Sequence, residues 1–359
     1  MPLDVKQLLA GPRGRRFCLE FALSGRGEIS AEQTRLGQLL FPAVFQLESA
    51  AGRASLVFGT DGPLPAPSIE QIASALGNVP LGAVSDMNVL LALTEVVDSA
   101  MYWQEPDGTD ELLSDPAIHG ALETVAHHLL ASPLTSWLSS SEAPEQWAVT
   151  FEHRSLNLPL PPAAAESLRL WQTEQRESEQ VAGLERPMDP SANWSGDWWS
   201  TPSRALTTST RSLSPYGPVG LSLIEDSRGW TRGEIELVLV PDASRIFEVV
   251  DAASWVELCR EYPLDVSASR RHDWYRATGR SGMWVIPDWA RVAPNFDAVH
   301  LPVSTYLSSA GVPITVTADT ASVIAGWNPD ETFWLVDVEK DPATRANLVR
   351  DEHTELWPV

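Results

Sequence analysis

Lysine is nearly absent from this chain. Lys6 and Lys340 stand beside 23 arginines, a bias that a GC-rich genome would also produce. Positive charge as a whole is scarce: 25 Lys and Arg face 48 Asp and Glu, for a formal net charge of -23. Such a surface repels phosphate backbones and disfavours nucleic-acid binding over the whole surface, though not in a local basic pocket. Cysteine is limited to Cys18 and Cys259, far apart in sequence, which argues against a disulfide framework and gives no metal-ligand spacing. No apolar run reaches the roughly 18 residues of a membrane span. The first residues carry charge where a signal peptide would be apolar. The expectation is a cytoplasmic protein without a membrane partner. Also missing are G-x-S-x-G, the P-loop and G-x-G-x-x-G, which argues against an α/β-hydrolase, a P-loop NTPase and a Rossmann dehydrogenase.

What is present divides the chain in two. With 359 residues and 43% hydrophobic content, two domains or one large one are possible. The first half predicts helices. "ISAEQTRLGQLLFPAVFQLESA" has helical spacing until Pro42 interrupts it, and "SIEQIASALG" opens on the cap Ser68. "SDMNVLLALTEVVDSAMYW", "DPAIHGALETVAHHLLAS" and "PPAAAESLRLWQTEQRESEQVAGL" follow, the last wholly polar after Trp171 and so expected to be exposed there. "RASLVFGTDG" and "QWAVTFEHRSL" predict strands. A linker is placed at about Gly183–Asn193, giving a mainly helical acidic domain over 1–188 and a second domain over 189–359.

The second domain carries 11 of the 15 tryptophans. "GLSLIED", "EIELVLVP", "RIFEVV", "GMWVIPDW", "DAVHLPV", "PITVTAD" and "TFWLVDV" predict strands, with one helix at "DAASWVELCREYP" and a second at "STYLSSAG". The fold class is therefore α+β: a helical half followed by a Trp-rich, mainly antiparallel sheet domain with one or two helices.

Three places offer chemistry. His119, Glu123 and His127 share a helix face, since four-residue steps drift only about 40°. The pattern is not HExxH and no second helix supplies ligands, so exposed or structural histidines are preferred and no metal is predicted. "YWQEPDGTDE" mixes aromatics and acids at an Asp107-Gly108 turn; it lacks EF-hand spacing and reads as a helix-capping loop. Ser203–Ser212 holds six hydroxyl residues with Arg204 and Arg211, groups that suit a phosphate or pyrophosphate, or else an edge strand with solvated arginines.

"TTSTRS" and the downstream "ELVLVPDASRIFEV" resemble a segment of the mono-ADP-ribosyltransferase toxins, over residues 203–250. The resemblance implies that Thr208, Ser209 and Thr210 line an NAD pocket on a central strand. Arg204 is the one residue that would serve as the family's upstream arginine. No Glu-x-Glu or Gln-x-Glu stands where the family's catalytic glutamate belongs, and Glu234-x-Glu236 comes too early.

The third place is "SASRRHDWYRATGRSGMW", Ser267–Trp284, with four arginines, a histidine and two tryptophans. If Asp265–Ser269 is extended, Arg270 and His272 face one way, Arg271 and Asp273 the other. Arg270 and Arg271 would fork a phosphate, Trp274 and Tyr275 would stack a ring, and His272 would move a proton. Asp288, Asp297, His300 and Tyr306 follow on strand ends. The bland alternative is a salt-bridged, Trp-rich sheet edge.

These residues define three readings. The first is an enzyme that binds and turns over a phosphorylated, ring-bearing small molecule, NAD being the first candidate, by ADP-ribosyl transfer or glycohydrolysis. Asp297 would be its carboxylate, with His300 and His272 as further catalytic candidates. The second is a non-catalytic interaction module with a protein partner. The third is a peptide-modifying transferase whose acidic face attracts a basic peptide.

Overall fold

The computed structural model describes residues 3–24, 29–54, 66–152, 162–225, 229–351 and 356–357. The helices begin where the sequence supplies caps. Ser30 with Gln33 and Ser68 with Gln71 form capping boxes that open the helices Ala31–Ala50 and Ile69–Gly77. Ser85 caps Asp86–Asp98, and Asp115 followed by Pro116 opens Pro116–Leu130. Pro42 does not end its helix. Leu36, Leu40 and Ala43 are buried on one face across it, and that burial offsets the roughly 3 kcal/mol a mid-helix proline costs. Of the two strands expected in the first half, the stretch from residue 55 onward of one and from 153 onward of the other lies outside the described residues.

Thirteen strands are numbered in chain order among the described residues. They are β1 Gln146–Phe151, β2 Thr208–Ser209, β3 Ser212–Leu213, β4 Gly217–Pro218, β5 Arg232–Leu239, β6 Ile246–Glu248, β7 Pro263–Asp265, β8 Met283–Pro287, β9 Ala298–Leu301, β10 Ile314–Thr315, β11 Thr320–Ser322, β12 Glu331–Trp334 and β13 Glu339–Val349. They form the sheets β1-β5-β13, β2-β12-β9-β6 and β10-β11-β8-β7, and the hairpin β3-β4. Pairing is antiparallel except β6 with β9 and β8 with β11. The fold is α+β, helical in its N-terminal half and sheet-rich in its C-terminal half.

Three elements differ from expectation. Val219–Leu221 is a 3-10 turn, not part of a strand. Arg271–Thr278 is a helix, ended by Gly279 in the left-handed region at φ 70°. β13 was not anticipated; its residues are mostly polar and partly exposed, so alternation gave no signal.

One core cluster runs from Leu8 to Leu335, joining helices of the first half to sheets of the second. Its densest part is aromatic. Trp327 meets Trp289 and Phe333 edge-on, with ring centroids 5.9 and 4.8 Å apart. Trp255 donates its indole N–H to Ser322 at 2.9 Å, and Trp289 to the Ser200 carbonyl at 3.1 Å, so these two rings are buried with their polar atoms satisfied, while the Trp327 indole N–H is buried without a partner among the described residues. Truncating any one of them should cost about 3–5 kcal/mol.

Candidate functional site

The arginine-rich stretch is placed against the long helix Ala164–Glu185. The polar end of that helix, beyond Trp171, does not face only solvent. Gln172 donates to both oxygens of buried Asp288 at 2.7 Å. Glu179 accepts the backbone amides of Ala268 and Ser269, each at 2.7 Å. Arg270 is 1% exposed and donates to Gln175 at 2.5 Å and to the Trp199 carbonyl at 3.1 Å. Burial pulls its guanidinium down to about 10, so it stays charged at neutral pH.

The neighbours of Arg270 are equally engaged. Arg271 donates to the Pro187 carbonyl at 2.6 Å. His272 is buried with Nδ1 3.2 Å from the Pro190 carbonyl, and burial holds its pKa below the usual histidine value. Asp273 accepts from Ser195, the Gly196 amide and Arg276 at 2.8, 2.9 and 2.6 Å. Trp274 is buried edge-on to Trp284 and donates to the Trp198 carbonyl at 2.8 Å. Tyr275 is half-buried on the same helix. Together these groups fasten the stretch between residues 172 and 199 onto the sheet domain.

Asp297 lies apart from that clasp, and Arg204 reaches its edge at Trp199. Asp297 takes three hydrogen bonds from Arg245, at 2.7 to 3.1 Å, and that partner holds its carboxyl below the usual range. The exposed Arg204 guanidinium lies 5.2 Å from the Trp199 ring centre.

Thr208, Ser209 and Thr210 line a small, open pocket with Trp147, Val149, Gly220 and Ile224. Its remaining wall is the turn Asn328, Pro329 and Glu331. The geometry follows from pairing. β12 runs antiparallel to β2, with Thr332 opposite Ser209 and Phe333 opposite Thr208. Glu331, the first residue of β12, therefore comes to the rim of the hydroxyl strand. An isolated bridge between Trp147 and Thr210 brings β1 alongside. The Ser209 hydroxyl is engaged inside, donating to Gln146 and accepting from the Trp334 indole, both at 2.7 Å. Thr208 is half-buried and makes no side-chain hydrogen bond among the described residues.

Behind this pocket lies a buried charge network. Asp330 accepts from the Thr210 hydroxyl at 3.0 Å, the Arg211 amide at 2.9 Å and Arg211 Nε at 2.5 Å. His300 is 0% exposed, with Nε2 3.3 Å from Asp330 and Nδ1 2.6 Å from Glu248. Burial alone would discharge the imidazole, but hydrogen bonds to Asp330 and Glu248 outweigh it and raise its pKa to about 9. Burial likewise opposes ionisation of Asp330, yet His300 and Arg211 hold its carboxyl below the usual range. Glu142, next to the network, is pushed up to about 7 by burial despite the pull of His300.

His300 and Thr210 are thus brought together through Asp330, while Arg270–Tyr275 form a separate set and Asp297 a third. Glu331, Asn328 and Trp147 were not singled out from the sequence. The signal for Glu331 was a Pro-Asp-Glu turn directly before the apolar strand "TFWL", a place where a carboxylate ends up at a sheet rim. Compared with protein-family models, curated proteins and solved structures, the chain matches none.

Proposed function

We propose that the pocket between β1, β2 and the start of β12 takes the nicotinamide-ribose end of NAD and cleaves its glycosidic bond. The observation that carries this reading is that Glu331 shares one pocket with Thr208, Ser209 and Thr210. The Trp147 ring gives an apolar wall against which a planar base can lie. The phosphates would extend outward from the pocket.

The chemistry asked of Glu331 is electrostatic. The bond between C1′ of the ribose and the ring nitrogen breaks, and its electron pair leaves with the nitrogen, neutralising the pyridinium. The ribosyl carbon becomes cationic, and a carboxylate beside it stabilises that charge. Water, or the hydroxyl or guanidinium of an acceptor, then forms the new bond to C1′ and loses its proton to solvent. This assigns to Glu331 the role that the sequence offered to Asp297, which does not line this pocket.

The test is nicotinamide release from NAD by the purified chain, with Glu331→Gln as control. Thermal denaturation with NAD adds a binding readout: ligand at 100 times its dissociation constant should stabilise by about 2.7 kcal/mol. No stabilisation by NAD and no nicotinamide release would remove this reading.

A further inference from the structure

We propose that Asp330, backed by Arg211, His300 and Glu248, is a latch that positions Glu331 on the pocket rim. The inference rests on the reading of Glu331 given above. It makes Asp330 a positioning residue, with no contact to substrate.

The backbone supplies the first argument. Asp330 has φ 62°, in the left-handed region that non-glycine residues rarely occupy. Such a conformation persists only where the surroundings over-determine it. Here they do. Four contacts from three residues, Thr210, Arg211 and His300, converge on one carboxylate that is 1% exposed. Its own amide donates to the Leu301 carbonyl at 2.9 Å.

The second argument is what the turn carries. Asp330 stands between Pro329 and Glu331, both of which line the pocket. The Asn328 amide donates to the Glu331 carboxylate at 3.2 Å, and Asn328 in turn accepts from the Glu225 amide at 2.9 Å. The Asp330 amide and the pairing of Glu331 with Leu301 hold the turn on the β9 side, so freeing the Asp330 carboxylate would loosen it on the Thr210 side and shift Glu331 against Thr208. Thr210 belongs both to the pocket wall and to the latch, so the same residue registers the two.

The third argument is the backing. Glu248 holds His300 Nδ1, which leaves Nε2 directed at Asp330. The groups that face His300 are Glu248, Asp330, Glu142 and, through Asp330, Arg211. A mere core salt bridge would not need to lie one residue from a pocket carboxylate in a strained turn.

The experiment compares wild-type protein with Asp330→Gly, which removes all four contacts and tolerates the left-handed backbone. Amide relaxation dispersion of labelled, ligand-free protein reads the Glu331 resonance, and steady-state kinetics with NAD read turnover. The latch predicts exchange at Glu331 in the variant alone. It also predicts kcat lowered about 100-fold, the scale of a 1 Å misplacement, with KM changed less than about threefold. A wild-type-like Glu331 resonance in the variant overturns the latch. Exchange at Glu331 in a chain whose wild type releases no nicotinamide supports the latch and removes the NAD reading. Should Asp330→Gly fail to fold, His300→Gln carries the same resonance measurement, exchange supporting the latch and its absence overturning it.

Discussion

Arg270 and Gln175 lie 95 positions apart and share a hydrogen bond of 2.5 Å across the junction of the helical and sheet halves. The guanidinium also meets the Trp199 carbonyl at 3.1 Å and is fully enclosed. Arg270→Met fills the space but takes the donor from Gln175, the Trp199 carbonyl and the Ser269 hydroxyl. The expected loss is on the order of 3 kcal/mol, read as a lower urea midpoint with an unchanged slope. An unchanged midpoint would mean that the clasp contributes nothing net.

Stability should fall as pH rises from about 5 to about 9. Glu142, Glu225 and His300 all have folded-state pKa values above their ordinary ones, at about 7, 8 and 9. Each therefore binds its proton more tightly in the folded chain. The glutamates lose their contribution from about 4.5 up to their folded values, and His300 from about 6.5 up to 9. His272, whose charged form burial disfavours, opposes the trend. Urea midpoints across the range should decline; a midpoint that rises with pH would contradict these assignments.

Glu225 should tolerate amidation. It is buried, accepts from the Tyr102 hydroxyl at 2.8 Å, and burial pushes it up to about 8. A carboxyl already protonated at neutral pH resembles a glutamine. Glu225→Gln should change stability at pH 7 by less than about 1 kcal/mol and flatten the pH dependence, whereas Glu225→Ala should cost about 2–4 kcal/mol. Equal losses in the two variants would show that the charged form matters.

The sequence made the α+β class legible because its signals were local. Caps at Ser68, Ser85 and Asp115 and the alternation in "EIELVLVP" depend on neighbours only. The role of "SASRRHDWYRATGRSGMW" was not legible. Four arginines in one stretch are as compatible with a ligand fork as with a clasp, and only the arrival of Gln175, Glu179 and Trp199 from elsewhere in the chain distinguishes them. Thr208, Ser209 and Thr210 were named through the resemblance that "TTSTRS" carries. Glu331 was not, because its place beside them comes from the pairing of β12 with β2 across more than a hundred residues.

If Glu331 is the carboxylate of a glycosidic-bond-cleaving pocket, its removal should abolish cleavage without abolishing the fold. Nicotinamide release from NAD should be measured for wild type and for Glu331→Gln, both confirmed folded by their urea midpoints. The account predicts release by wild type and a loss of about 100-fold or more in the variant, the scale of removing one electrostatic group from a transition state, with NAD still raising the melting temperature of both. Release unaffected by the substitution would contradict it.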